Sequence, residues 1–185
     1  MTTTTSTDTT RTDANWAVEY DVDPIRIRDP VAEVLGVLDA GQPFEIEYAD
    51  LVQVAGHSCP TAAGAYRLAQ VGLDALYPDE LPVRGDIEVL VPGPREDSTY
   101  GLLARLLSTI TGAAQADGFP GLGDGVGDRR NRLHYAAFEA PGPAPTVRFR
   151  RRDTGETVAV TYRLSDVPGE DPALEHLGAV IDGTA

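Results

Sequence analysis

His57 and Cys59 stand two residues apart in the stretch Gly56-His57-Ser58-Cys59-Pro60, and Cys59 is the only cysteine of the chain. An imidazole and a thiolate form a donor pair that suits a soft or borderline transition metal, zinc first, with nickel or iron as alternatives. The same pair suits nucleophilic chemistry, with the thiol attacking and the imidazole serving as its base. The competing structural reading is a cysteine packed as a small apolar side chain beside a hydrogen-bonded histidine.

The elements around the pair decide how it is presented. Pro60 fits the first position of a helix running to Leu76, which makes Cys59 the N-cap. Unpaired amides and the positive end of the helix dipole then face the sulfur and favour a thiolate. Gly56 lets the chain turn sharply ahead of the pair. Arg67, Gln70 and Asp74 form a narrow polar stripe, and the remaining positions are apolar or small, so this helix is expected to be largely buried. Its small residues, Ala62 to Ala65, suit close approach of another backbone.

Further elements follow from capping and periodicity. A helix starts at Asp29-Pro30, with Val31, Val34, Leu35 and Leu38 at helical spacing and Gly41 as its stop. A short helix spans about Tyr48 to Val54. Arg84 to Val91 alternates as a strand. A helix over Thr99 to Thr111 is capped by Asp97 or Ser98 and stopped by Gly112. Leu133 to Glu139 reads as a strand. Thr146 to Arg152 and Thr157 to Arg163 read as a hairpin around Asp153-Thr154-Gly155. A last helix covers Pro172 to Ile181. This order gives an α+β fold, one domain over residues 16–185 behind a Thr-rich tail at 1–15, with a mixed or mostly antiparallel sheet packed on the long helix.

The stretch Gly56-His57-Ser58-Cys59-Pro60, followed by Gly64 and Tyr66-Arg67, resembles the opening motif of the E-type family of formylmethanofuran dehydrogenase subunits. That motif runs Gly-His-x-Cys-Pro and then Gly-Tyr-Arg, and here Ala65 separates Gly64 from Tyr66. Thr111-Gly112, the Gly-rich loop and Arg152-Asp153-Thr154-Gly155 extend the likeness over about Tyr48 to Arg163. The resemblance implies a compact α+β core, homodimeric, with a metal site to which His57 and Cys59 contribute. It points to one-carbon or redox chemistry on a small-molecule substrate. The family's second cysteine and its cysteine-rich zinc module have no counterpart in this chain. Remaining ligands would come from His134, Asp97 or Glu96, in that order, or from a second copy.

Other features are read more plainly. Gly121 to Gly127 fails the dinucleotide spacing and the phosphate-loop pattern, leaving a flexible loop or a lid. Arg148, Arg150 and Arg152 share one face of a strand, where they could take an anion or pair with nearby acids. Arg129, Arg130 and Arg132 form a second cluster. His176, beside Glu175, is expected on the surface. All 15 basic residues are arginine, which excludes lysine-based chemistry, and the formal charge of −14 argues against binding nucleic acid or anionic membrane. A lone cysteine and the absence of a secretory pattern near the start favour the reducing cytoplasm. Two alternatives to metal binding stand: a metal-independent thiol enzyme with Cys59 as nucleophile, or a non-catalytic dimeric interaction subunit using Tyr66, Leu68 and the small residues beside them.

Overall fold

The structure, a computed structural model, describes residues 16–167 and 172–184, excepting the side chains of 172–176. The Thr-rich tail and the side chain of His176 lie outside the described residues.

The fold is α+β. The elements in chain order are β1 (Ile25–Ile27), α1 (Pro30–Val34), β2 (Phe44–Ile46), α2 (Tyr48–Ala55), α3 (Pro60–Leu76), β3 (Ile87–Leu90) and α4 (Tyr100–Thr111). They continue with β4 (Leu133–His134), β5 (Thr146–Arg151), β6 (Thr157–Thr161), a 3-10 turn at Leu164–Asp166, and α5 (Pro172–Ile181). One sheet has the order β4-β3-β5-β6, with β4 parallel to β3 and the other neighbours antiparallel. A second, two-stranded sheet pairs β1 with β2.

The core lies between α3, α4 and one face of the larger sheet. Ile87, Val89, Val147 and Phe149 alternate inward and are fully buried, meeting Leu68, Leu73, Leu103 and Leu107 of the helices. Two glycines of α3 set how near the helix comes to the sheet. A Cβ at Gly72 would clash with the Phe149 ring, and one at Gly64 would sit 2.7 Å from the Tyr162 ring. Gly64 and Gly72 therefore admit aromatic side chains. Tyr66 pins the small sheet to α3: its hydroxyl lies 2.8 Å from the Ile46 carbonyl and accepts from the Ile25 amide at 3.2 Å. Tyr66 and Leu68 are core residues of one chain, which removes them as an interface.

Several expectations are adjusted. The exposed stripe of α3 includes Val71 and Ala75 as well as the polar residues. α1 ends at Val34, ahead of Gly36 at φ 67°, and Val34 and Leu35 point to solvent; only Ala32 of this helix is buried. The strand expected to reach Glu139 stops at His134, because Ala136 takes a left-handed φ of 48° and its amide turns to the Gly93 carbonyl. The Gly-rich loop is folded on itself through Leu122 and Val126, and Gly127 abuts Val31, leaving no room for a Cβ.

Candidate functional site

α3 begins at Pro60 with Cys59 as its N-cap in extended conformation, and no side chain caps the helix. α2 ends on Gly56, whose φ of 78° needs the left-handed freedom of glycine. The four-residue link between these helices carries both His57 and Cys59. His57 is exposed, and its Nδ1 lies 3.0 Å from the Ala55 carbonyl. With the proton on Nδ1, that bond orients the ring and leaves the Nε2 lone pair outward, the arrangement typical of a ligating histidine. Cys59 is half-buried at the edge of the core and forms no disulfide.

Tyr48 and Tyr162 lie near Cys59. The buried Tyr48 hydroxyl is 2.8 Å from Ser58 Oγ, and Tyr48 packs edge-on between Tyr20 and Tyr66. Burial pushes the Tyr48 and Tyr162 phenols above their ordinary range, and proximity to Cys59 adds to it. Both rings therefore stand neutral beside Cys59 at neutral pH.

The additional ligands expected from sequence lie elsewhere. Asp97 caps α4, with its Oδ1 accepting from the Thr99 and Tyr100 amides at 2.9 and 2.8 Å. Glu96 is exposed on the same loop. His134 sits on β4 and pairs in register with Leu90, on the sheet face turned away from α3. Its Nε2 is buried without a hydrogen bond, 3.8 Å from Glu88 Oε2. Among the described residues, no three His, Cys, Asp or Glu side chains converge to hold a metal ion. His134 and Asp97 therefore do not join His57 and Cys59 in such a group.

The arginine clusters are already spent on the protein. Arg150 binds the Glu88 carboxylate through two nitrogens, Arg152 Nε approaches the same carboxylate at 3.8 Å, and Arg148 lies over the Phe138 ring at 4.0 Å. Arg129 and Arg84 meet the buried Asp29, which also caps α1. Arg130 pairs with Asp128, and Arg132 donates to backbone carbonyls. The alternative of pairing with the chain's acids holds for Arg150 and Arg152.

A groove that no motif announced opens between α4, the segment after it and β4. Its volume is about 610 Å³, and it is lined by Arg95, Gln115, Asn131, His134 and Tyr135 among others. An overlapping recess of about 390 Å³ adds Arg105 and Ser108. Neither His57 nor Cys59 lines either space. No family model matches the chain, and no curated protein or solved structure matches it. Among the described residues, no helix is long and apolar enough to cross a membrane.

Proposed function

We propose that this is a transition-metal-binding protein in which His57 Nε2 and Cys59 Sγ form half of a site, completed by the same pair from a second copy. The carrying observation is the link between α2 and α3: an exposed imidazole oriented through Nδ1 and an uncapped sulfur at the molecular edge, two residues apart. Two such pairs make a two-sulfur, two-nitrogen set, which suits tetrahedral zinc above other ions. Nickel or iron would be held by the same donors. The resemblance to the E-type formylmethanofuran dehydrogenase family supports both the metal and the homodimer, and ties the role to one-carbon or redox chemistry on a small molecule. A reducing cytoplasm keeps the thiol free for this use.

Metal content and mass, measured together on protein purified without chelator, test the reading. The expected result is about half an equivalent of zinc per chain and a dimer that chelator dissociates. Less than about one-tenth of an equivalent after zinc loading and desalting contradicts it. The uncapped start of α3 also favours a second reading, in which Cys59 is a nucleophile and the helix amides stabilise an oxyanion. Rapid labelling by a mild electrophile that zinc does not slow supports that alternative.

A further inference from the structure

The groove beside α4 carries a second inference, independent of the metal. Five of its side chains come from four separate segments. Arg95 is on the loop before α4, Arg105 on α4 itself, Gln115 on the segment after it, and Asn131 and Tyr135 flank β4. The backbone fixes them together. The Gln115 carbonyl accepts from the Asn131 amide at 3.0 Å, and the Ala114 carbonyl accepts from the Arg132 and Leu133 amides. Gly101 lets the Arg95 loop lie on α4, since a Cβ there would meet the Arg95 carbonyl at 2.5 Å. Asn131 adopts a left-handed φ of 54°, a conformation asparagine tolerates better than most residues. Such positions concentrate where a loop is held for use.

These groups have hydrogen-bonding capacity to spare. Their one mutual side-chain bond is a long contact, 3.4 Å, from Arg95 to Gln115. Arg105, Asn131 and Tyr135 make no side-chain hydrogen bond among the described residues, and neither Arg95 nor Arg105 has a carboxylate within ion-pair distance there. Across the whole chain acids outnumber bases 29 to 15, and Arg28, Arg84, Arg129, Arg130, Arg150 and Arg151 meet carboxylates, while Arg132 donates to backbone carbonyls and Arg148 lies over the Phe138 ring. What sets Arg95 and Arg105 apart is that two arginines without a carboxylate partner among the described residues line one recess. Asp117 is the one carboxylate lining the groove, and Glu96 stands near Tyr135.

We propose that this groove binds a small organic acid, with Arg95 and Arg105 taking its carboxylate, Gln115, Asn131 and Tyr135 orienting it, and Asp117 accepting a hydrogen bond from a hydroxyl on the ligand. Arginine offers paired N–H donors that match a carboxylate, and charged hydrogen bonds are the stronger kind. The volume admits a small molecule with room to spare.

Titration of the full chain with succinate and with malate, which adds one hydroxyl, tests this by heteronuclear NMR. Saturable shifts are expected at Arg95 Nε and at the Gln115 and Asn131 side-chain amides, with malate binding several-fold tighter. The double variant R95A/R105A should lose about tenfold or more in affinity while its backbone spectrum stays folded. D117A, which removes the acceptor, should remove the preference for malate and retain succinate. Shifts that do not saturate, shifts equally strong at the remote exposed Arg67 and Arg163, equal affinity for the two acids, or unchanged affinity in R95A/R105A would overturn the proposal.

Discussion

The α2–α3 link and the groove beside α4 are opposite kinds of site. The link is local: His57 and Cys59 come from one short stretch, and in the proposed metal site they would be two donors per chain. The groove is assembled: its arginines, amides and phenol come from four segments of one chain. A local motif needs little of the fold to exist, and the proposed metal site needs a second copy to close. An assembled groove needs the whole fold and nothing beyond it. If both readings hold, metal content follows oligomeric state, and acid binding does not.

The largest expected effect is loss of the metal. C59S should reduce bound zinc at least tenfold and leave the dimer unstable, whereas R95A/R105A should keep the full zinc content. Elemental analysis with sedimentation on both variants separates the regions; equal zinc in C59S and the parent protein breaks the comparison.

Two glycine variants sharpen it through packing. Ala at Gly64 would press on the Tyr162 ring near Cys59, and Ala at Gly101 would press on the Arg95 backbone. Each should cost about 1–3 kcal/mol in denaturant unfolding. G64A should weaken zinc binding and spare malate binding, and G101A should do the reverse.

Alkaline pH acts on both regions together. Burial pushes the Tyr66 phenol up to about 12, against about 10 in an unfolded chain. The folded state keeps a proton that the unfolded state releases between these values. The stabilisation is fully present below pH 10 and is lost as pH rises toward 12, on the order of 2 kcal/mol. Y66F should flatten that part of the stability profile, read by chemical denaturation at stepped pH.

The smallest effect is at Asp97. Removing its side chain in D97A should cost about 1 kcal/mol through the lost α4 cap and leave zinc content unchanged. A fall in zinc would return Asp97 to the metal site.

Legibility in the sequence followed the same divide. α3 was readable to the residue because Pro60 starts it and Tyr77-Pro78 closes it, and the β5–β6 turn was readable from Asp153-Thr154-Gly155. Asp97 was readable as a cap, and its second expected role as a ligand was not realised within the chain. β1 and β2 were missed because three residues each are too few for alternation to register. The arginine runs drew attention because they are contiguous, yet cross-strand pairing consumes Arg150 on Glu88. Arg95 and Arg105 stand alone in sequence. They are brought to one recess by the packing of the Arg95 loop on α4 and by the clip between Ala114-Gln115 and residues 131–133, which periodicity cannot reveal.

X-ray absorption at the zinc edge on the reconstituted protein tests the central claim most directly. The account predicts two sulfur neighbours at about 2.3 Å and two imidazole nitrogens at about 2.0–2.1 Å, one of each from each copy. A zinc shell made of oxygen and nitrogen alone, with no sulfur, would contradict it.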